Sequence, residues 1–145
     1  MPGIRFVHRT HLPAAETWLR LTDWERHGSQ VPFTRTIIVT EPPTRAGTLF
    51  TARTGVGRIT FDDPMEVVLW NPPDGDSGGL VRLVKHGRAV LGWAEIAIRP
   101  LPGGGTEIVW TEELRLRGLP RLLDPVVAAA GRFVFSRALR GILRP

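Results

Sequence analysis

The chain has 145 residues, 42% of them hydrophobic and 23% charged, a size that suits a single domain over residues 1–145 with its own apolar core. The absence of cysteine excludes disulfides, thiolate metal sites and cysteine nucleophiles. The net charge of +5 comes from 19 basic residues, all arginine except Lys85, and residues 115–145 concentrate it, holding seven arginines against Asp124 alone. The first twelve residues contain no apolar run of signal-peptide length, and no stretch approaches the roughly 18–20 apolar residues of a membrane span. A soluble, cytoplasmic domain is expected.

Thirteen prolines and 16 glycines cut the chain into short segments at hairpin spacing. Ile4–Thr10 is expected to be a first strand. Pro13 suits a first helical position, and Ala14, Trp18 and Leu21 recur at helical spacing up to Leu21. Asp23 can cap a second short helix that Gly28 ends. The period then changes to two. Strands are expected over Val31–Thr40, Thr48–Thr54 and Arg58–Trp70, the last with a bulge or an edge at Asp63-Pro64, because proline cannot donate to a ladder. After the polar loop Asn71–Gly79, Leu80–His86 and Ala89–Arg99 form a hairpin around Gly87. Leu101–Gly105 turns into Thr106–Leu116, and Gly118 and Pro120 stop the strand. Asp124 can cap a final helix, with Pro125 at its first position, running to about Leu143. Its apolar residues Leu122, Leu123, Val126, Val127, Ala130, Phe133 and Val134 occupy a wide face. Consecutive short strands with helices at both ends imply an α+β domain built on an antiparallel sheet.

This order resembles the helix-grip fold of the START-like, polyketide cyclase-like superfamily, SRPBCC. The resemblance spans nearly the whole chain. Ala14-Ala-Glu-Thr-Trp18 resembles that family's first helix, and Thr22-Asp-Trp-Glu-Arg-His27 its turn into the second. Gly47-Thr-Leu-Phe50 resembles the strand after an early glycine, and Pro102-Gly-Gly-Gly-Thr106 through Trp110 the hairpin between the last two strands. The resemblance implies a curved antiparallel sheet of about seven strands wrapped around a long C-terminal helix, with two short helices after the first strand. It also implies an internal cavity for a polyketide-, isoprenoid- or lipid-like molecule, in some members with cyclase, aromatase or dehydratase activity. The superfamily shares no universal catalytic residue, so the resemblance assigns none, and it implies no cofactor.

Other motifs carry little. Gly75-Asp-Ser-Gly-Gly79 spells a serine-protease nucleophile segment, but the chain is too short for two barrels and lacks a matching histidine segment; it reads as a loop. The same stretch lacks the later ligands and closing glutamate of a calcium loop, and Arg53-Thr-Gly-Val-Gly57 lacks the Gly-Lys-Ser/Thr of a phosphate loop. His8 and His11 point to different faces, with His27 and His86 distant, so no metal site is expected. The basic tail is helical, with no aromatic alternation on a strand face, so no nucleic acid is expected as a partner.

The strand alternation says more. Ile108, Trp110, Leu114 and Leu116 share one face of the last strand, and Glu112 belongs to it. A carboxylate on an apolar face must be paired, hydrogen-bonded or protonated. Val31, Phe33, Ile37 and Val39 share a face with Arg35, placing a second charge inward. The expected ligand contacts are Phe33, Arg35, Trp110 and Glu112 from the sheet and Val126, Ala130 and Phe133 from the helix. Glu112 and Arg35 then form either a structural pair or ligand contacts, and a buried Glu112 could serve as a general acid or base. A different class of function, an acidic partner meeting the basic C-terminal helix, is the remaining alternative.

Overall fold

The computed structural model describes residues 3–88, 90–118 and 121–144. Strand β1 (Gly3–Thr10) is followed by two short helices, α1 (Ala14–Leu21) and α2 (Trp24–Ser29). Six strands come next: β2 (Thr34–Ile38), β3 (Leu49–Val56), β4 (Ile59–Asn71), β5 (Gly79–His86), β6 (Val90–Pro100) and β7 (Thr106–Leu116). A 3₁₀ turn (Arg121–Leu123) leads into the long helix α3 (Asp124–Ile142). The strands form one antiparallel sheet in the order β1-β7-β6-β5-β4-β3-β2. Hairpins join neighbours from β2 to β7, and β1 closes the far edge against β7 with Phe6 opposite Trp110. The curved sheet and the helices make the expected α+β arrangement.

Period-two patterning fixes the concave face. Val81, Leu83 and Lys85 of β5, Ala94, Ile96 and Ile98 of β6, and Thr106, Ile108, Trp110 and Glu112 of β7 are all buried, while their alternates are more exposed. Trp18 and Leu21 of α1 and Leu139 and Ile142 of α3 pack onto this face. Asp23 caps α2 by accepting from the Arg26 amide at 3.3 Å. Gly28 lies inside α2 rather than ending it, and its role is close approach: a Cβ there would stand 3.0 Å from the Thr36 backbone nitrogen. Gly79, at the start of β5, is equally confined, a Cβ meeting Pro73 N at 2.8 Å and the Trp18 ring at 2.9 Å. Gly79→Ala is expected to lower stability by about 2 kcal/mol in urea denaturation; an unchanged midpoint would show that the Trp18 corner has slack.

Four expectations need correction. Strand β2 is shorter than Val31–Thr40 and has the other phase. Phe33 takes a left-handed φ of 58° and turns the chain before the strand, so the alternation of Val31, Phe33 and Arg35 is not a strand alternation. Thr34 and Thr36 face inward instead, Thr36 Oγ1 donating to the Trp24 carbonyl at 2.7 Å. Arg35 is exposed and Phe33 is 73% exposed.

On α3 the stripe of Val126, Ala130 and Phe133 faces outward, Val126 at 63% and Phe133 at 67% exposure. Continued at helical spacing, that stripe runs into Arg137, Arg140 and Arg144, which an apolar core cannot accept. The opposite stripe, Phe135, Ala138, Leu139 and Ile142, meets the core.

The irregularity of β4 falls between Val67 and Leu69 rather than at Pro64. Pro64 lies where β4 pairs with β3 alone, since the β5 ladder begins at Met65, so of the two expectations the edge holds. The bulge moves the inward phase from Val67 to Trp70, whose ring packs 5.1 Å from that of Trp18. Finally, Leu123 rather than Asp124 occupies the cap position of α3. The expected strand start at Ala89 and the stop at Pro120 lie outside the described residues. Among the described residues no helix is long and apolar enough to cross a membrane.

Candidate functional site

A cavity of about 160 Å³, partly open to solvent, lies between the concave face and helices α2 and α3. Strands β2 to β7 supply its floor and α2 and α3 its roof. Trp24, Phe50, Phe61, Trp110 and Phe135 give it aromatic walls, with aliphatic surface from Met65, Leu83 and Ile96. Trp24 and Phe50 stack at 4.6 Å, and Trp110 is stacked between Phe6 at 5.6 Å and Phe135 at 5.8 Å.

Three charged groups stand in this apolar surface, one from each of β4, β5 and β7. Lys85 Nζ donates to Asp63 Oδ2 at 2.7 Å, lies 3.7 Å from Met65 Sδ, and is 3.9 Å from Glu112 Oε1. Glu112 is only 2% exposed. Burial pushes its carboxyl up to about 7; Lys85 opposes this and Asp63 reinforces it. The lysine is committed chiefly to Asp63, so Glu112 receives too little compensation to stay ionised in acid. Asp63 Oδ1, Glu112 Oε2 and Trp110 Nε1 are buried without a hydrogen-bond partner in the protein. Such atoms are rare in folded proteins, because each leaves desolvation uncompensated.

His27 lines the same cavity, its Nε2 against the Leu21 carbonyl, and burial holds its pKa below the usual histidine value. Its ring is therefore neutral near pH 7. Chemically the site offers a carboxyl that exchanges its proton near neutrality, an ammonium fixed to a second carboxylate, and vacant hydrogen-bonding positions in an aromatic box. Among the described residues, no three His, Asp or Glu side chains cluster closely enough to hold a metal ion.

Of the residues expected at the site, Trp110 and Glu112 line the cavity and the others do not. Arg35 lies on the outer face, opposite Arg53, which binds Asp62 through two contacts of 2.7 and 3.0 Å. Phe33 sits beside it, and Val126, Ala130 and Phe133 face away from the sheet. The arginines of the tail, Arg132, Arg137, Arg140 and Arg144, line a shallow depression on the outside of α3, away from the cavity. Sequence reasoning missed Lys85 and Asp63, although both share phase with apolar neighbours: Lys85 with Val81 and Leu83, and Asp63 with Phe61, Met65 and Val67. The only lysine of the chain, alternating with buried aliphatics, was the available signal.

No family model and no curated protein matches the sequence. Solved structures do match. The chain superposes on the Zhui aromatase/cyclase from a Streptomyces species with a TM-score of 0.69 at 14% identity, covering 97% of this chain and 90% of that one. A protein from Thermus thermophilus gives a TM-score of 0.73 at 16% identity over 97% and 94% of the two chains. A hypothetical protein from Helicobacter pylori gives 0.74 at 14% identity over 97% and 85%. Identity this low carries no residue from one site to another, but agreement over nearly the whole chain, together with the sheet order and the placement of α3, identifies the architecture as a helix-grip fold.

Proposed function

We propose that the protein binds a small, predominantly apolar molecule in the cavity between the sheet and α3, with Glu112, Asp63 and Trp110 as polar contacts. The observation that carries this reading is the coincidence of an open aromatic cavity with three buried, unpartnered polar atoms, two of them from residues lining it that are charged or near neutrality in titration. A water-free structural core would close over such groups or exclude them. The volume, about 160 Å³, is close to the roughly 150 Å³ that accommodates benzene in an apolar cavity. One ring or one short branched end therefore fits inside, and the remainder of a polyketide-, isoprenoid- or lipid-like molecule would pass through the opening to solvent.

The test is ligand-observed NMR with toluene and benzyl alcohol. Both are expected to bind the wild type, and Ala138→Phe, which fills the cavity from α3, is expected to abolish binding without loss of cooperative unfolding. Absence of binding to the wild type, or equal binding to a folded Ala138→Phe, would refute the cavity role.

A second reading is catalysis in the same cavity, of the cyclase or dehydratase kind. Its specific support is Glu112, a carboxyl near neutrality that can both donate and accept a proton. The aromatase/cyclase among the structural neighbours agrees with it. In that case Glu112→Gln abolishes turnover while a neutral ligand still binds.

A further inference from the structure

We infer that the cavity selects a ligand bearing one protonated amine on a compact apolar body, with its ammonium seated against the vacant oxygens Glu112 Oε2 and Asp63 Oδ1. The inference rests on the cavity being a ligand site and names the chemistry of its ligand.

The residues lining the cavity include one cation, Lys85, and two carboxylates, Asp63 and Glu112. With both acids ionised the cavity carries one uncompensated negative charge in a desolvated space. Without ligand and below about pH 7 the protein removes that charge by keeping a proton on Glu112. A ligand cation removes it in a second way, by displacing the proton.

The geometry agrees. Lys85 engages Asp63 Oδ2 and approaches Glu112 Oε1, leaving the other oxygen of each carboxylate buried and unpartnered. An ammonium at those oxygens would meet both carboxylates through atoms that Lys85 does not contact, so two cations would balance two anions. An ammonium also brings several N–H donors, enough for both vacant acceptors, where a hydroxyl brings one. The walls suit a cation as well. Trp24, Phe50, Trp110 and Phe135 surround the space with π faces that attract an ammonium, the more so when it is desolvated. A carboxylate ligand would meet two acids and a lysine already engaged. Among the described residues no other charge lines the cavity: His27 is held neutral, β2 and β3 present threonine and apolar side chains, and β6 and α3 present Ala94, Ile96, Phe135 and Ala138.

Benzylamine, benzyl alcohol and toluene share one ring and differ at the group that would meet Glu112, so isothermal titration of the wild type between pH 5 and pH 8 tests the inference directly. At pH 8 benzylamine is expected to bind at least tenfold more tightly than benzyl alcohol. Below pH 7 its affinity should fall about tenfold per pH unit, because Glu112 must give up a proton to receive the cation, while the amine itself stays protonated throughout. Titrations at pH 6 in two buffers of different ionisation enthalpy should show close to one proton released per benzylamine bound. Benzyl alcohol and toluene should show no pH slope. Glu112→Gln should lose the slope and reduce benzylamine to the level of the alcohol, with alcohol binding retained. If toluene or benzyl alcohol binds as tightly as benzylamine at pH 8, or benzylamine binding is flat with pH, the amine preference is overturned and the cavity reading stands. If none of the three binds, both fall together.

Discussion

Glu112→Gln is expected to stabilise the protein by about 3 kcal/mol at pH 8 and to leave it unchanged at pH 4. The carboxyl titrates at about 7 in the folded chain against an ordinary value of 4.5. Between those values the folded state binds the proton that the unfolded state has released, so this group lowers stability progressively as pH rises from 4.5 to 7 and by a constant amount above. About 2.5 pH units at 1.36 kcal/mol each give the magnitude. Glutamine keeps the shape and removes the charge. Urea denaturation of both proteins from pH 4 to pH 8 measures the difference directly. Equal stability of the two at pH 8 would mean that water reaches Glu112 and solvates its charge. Had Lys85 paired fully with Glu112 rather than standing 3.9 Å away, the carboxyl would titrate lower and the sign of the expectation would reverse.

Lys85→Met should act the other way, costing about 3–5 kcal/mol at pH 8, because it strands Asp63 with no cation and removes the charge that favours ionisation of Glu112. The methionine fits the space of the lysine stem, so the loss is electrostatic rather than a packing defect. The double variant Lys85→Met, Asp63→Asn should recover most of it, since the stranded charge of Asp63 is then gone. The coupling between the two sites, read from a double-mutant cycle, is the quantity of interest. Additive effects would mean that the 2.7 Å contact contributes nothing to stability, and a fully stable single variant would mean that Asp63 finds another donor.

The fold was legible in the sequence because its signals were redundant. Turn residues, period-two segments and a helix at each end of the strand run agreed with one another, and an error of a residue or two in any boundary left the topology intact. The site was less legible because it depends on phase, and phase has no redundancy. In β7 the alternation is unbroken from Thr106 to Glu112, and the inward position of Glu112 followed from its neighbours. In β2 the left-handed turn at Phe33 precedes a five-residue strand, and reading Val31 to Val39 as continuous put Arg35 on the wrong face. Helix α3 carries two apolar stripes in its first half. Only the arginines that continue one of them, Arg137, Arg140 and Arg144, tell which must face water. Lys85 and Asp63 were passed over for a different reason: a buried cation looks improbable until the carboxylates beside it are known, and those come from strands far apart in the chain.

The pairing of β1 with β7 sets a timetable for the molecule. Ile4 lies opposite Glu112, about a hundred residues later in the chain, so β1 has no strand partner until β7 has been made. At typical elongation rates of 5–20 residues per second that interval is roughly 5–20 s. During it the inward residues Ile4 and Phe6 have no sheet to cover them, and the consecutive hairpins from β2 to β6 can form first through contacts close in sequence. Once β7 is available, β1 pairs with the strand that carries Glu112 and completes the wall of the cavity where Phe6 stacks on Trp110. The wall of the cavity is thus incomplete until β7 has been made.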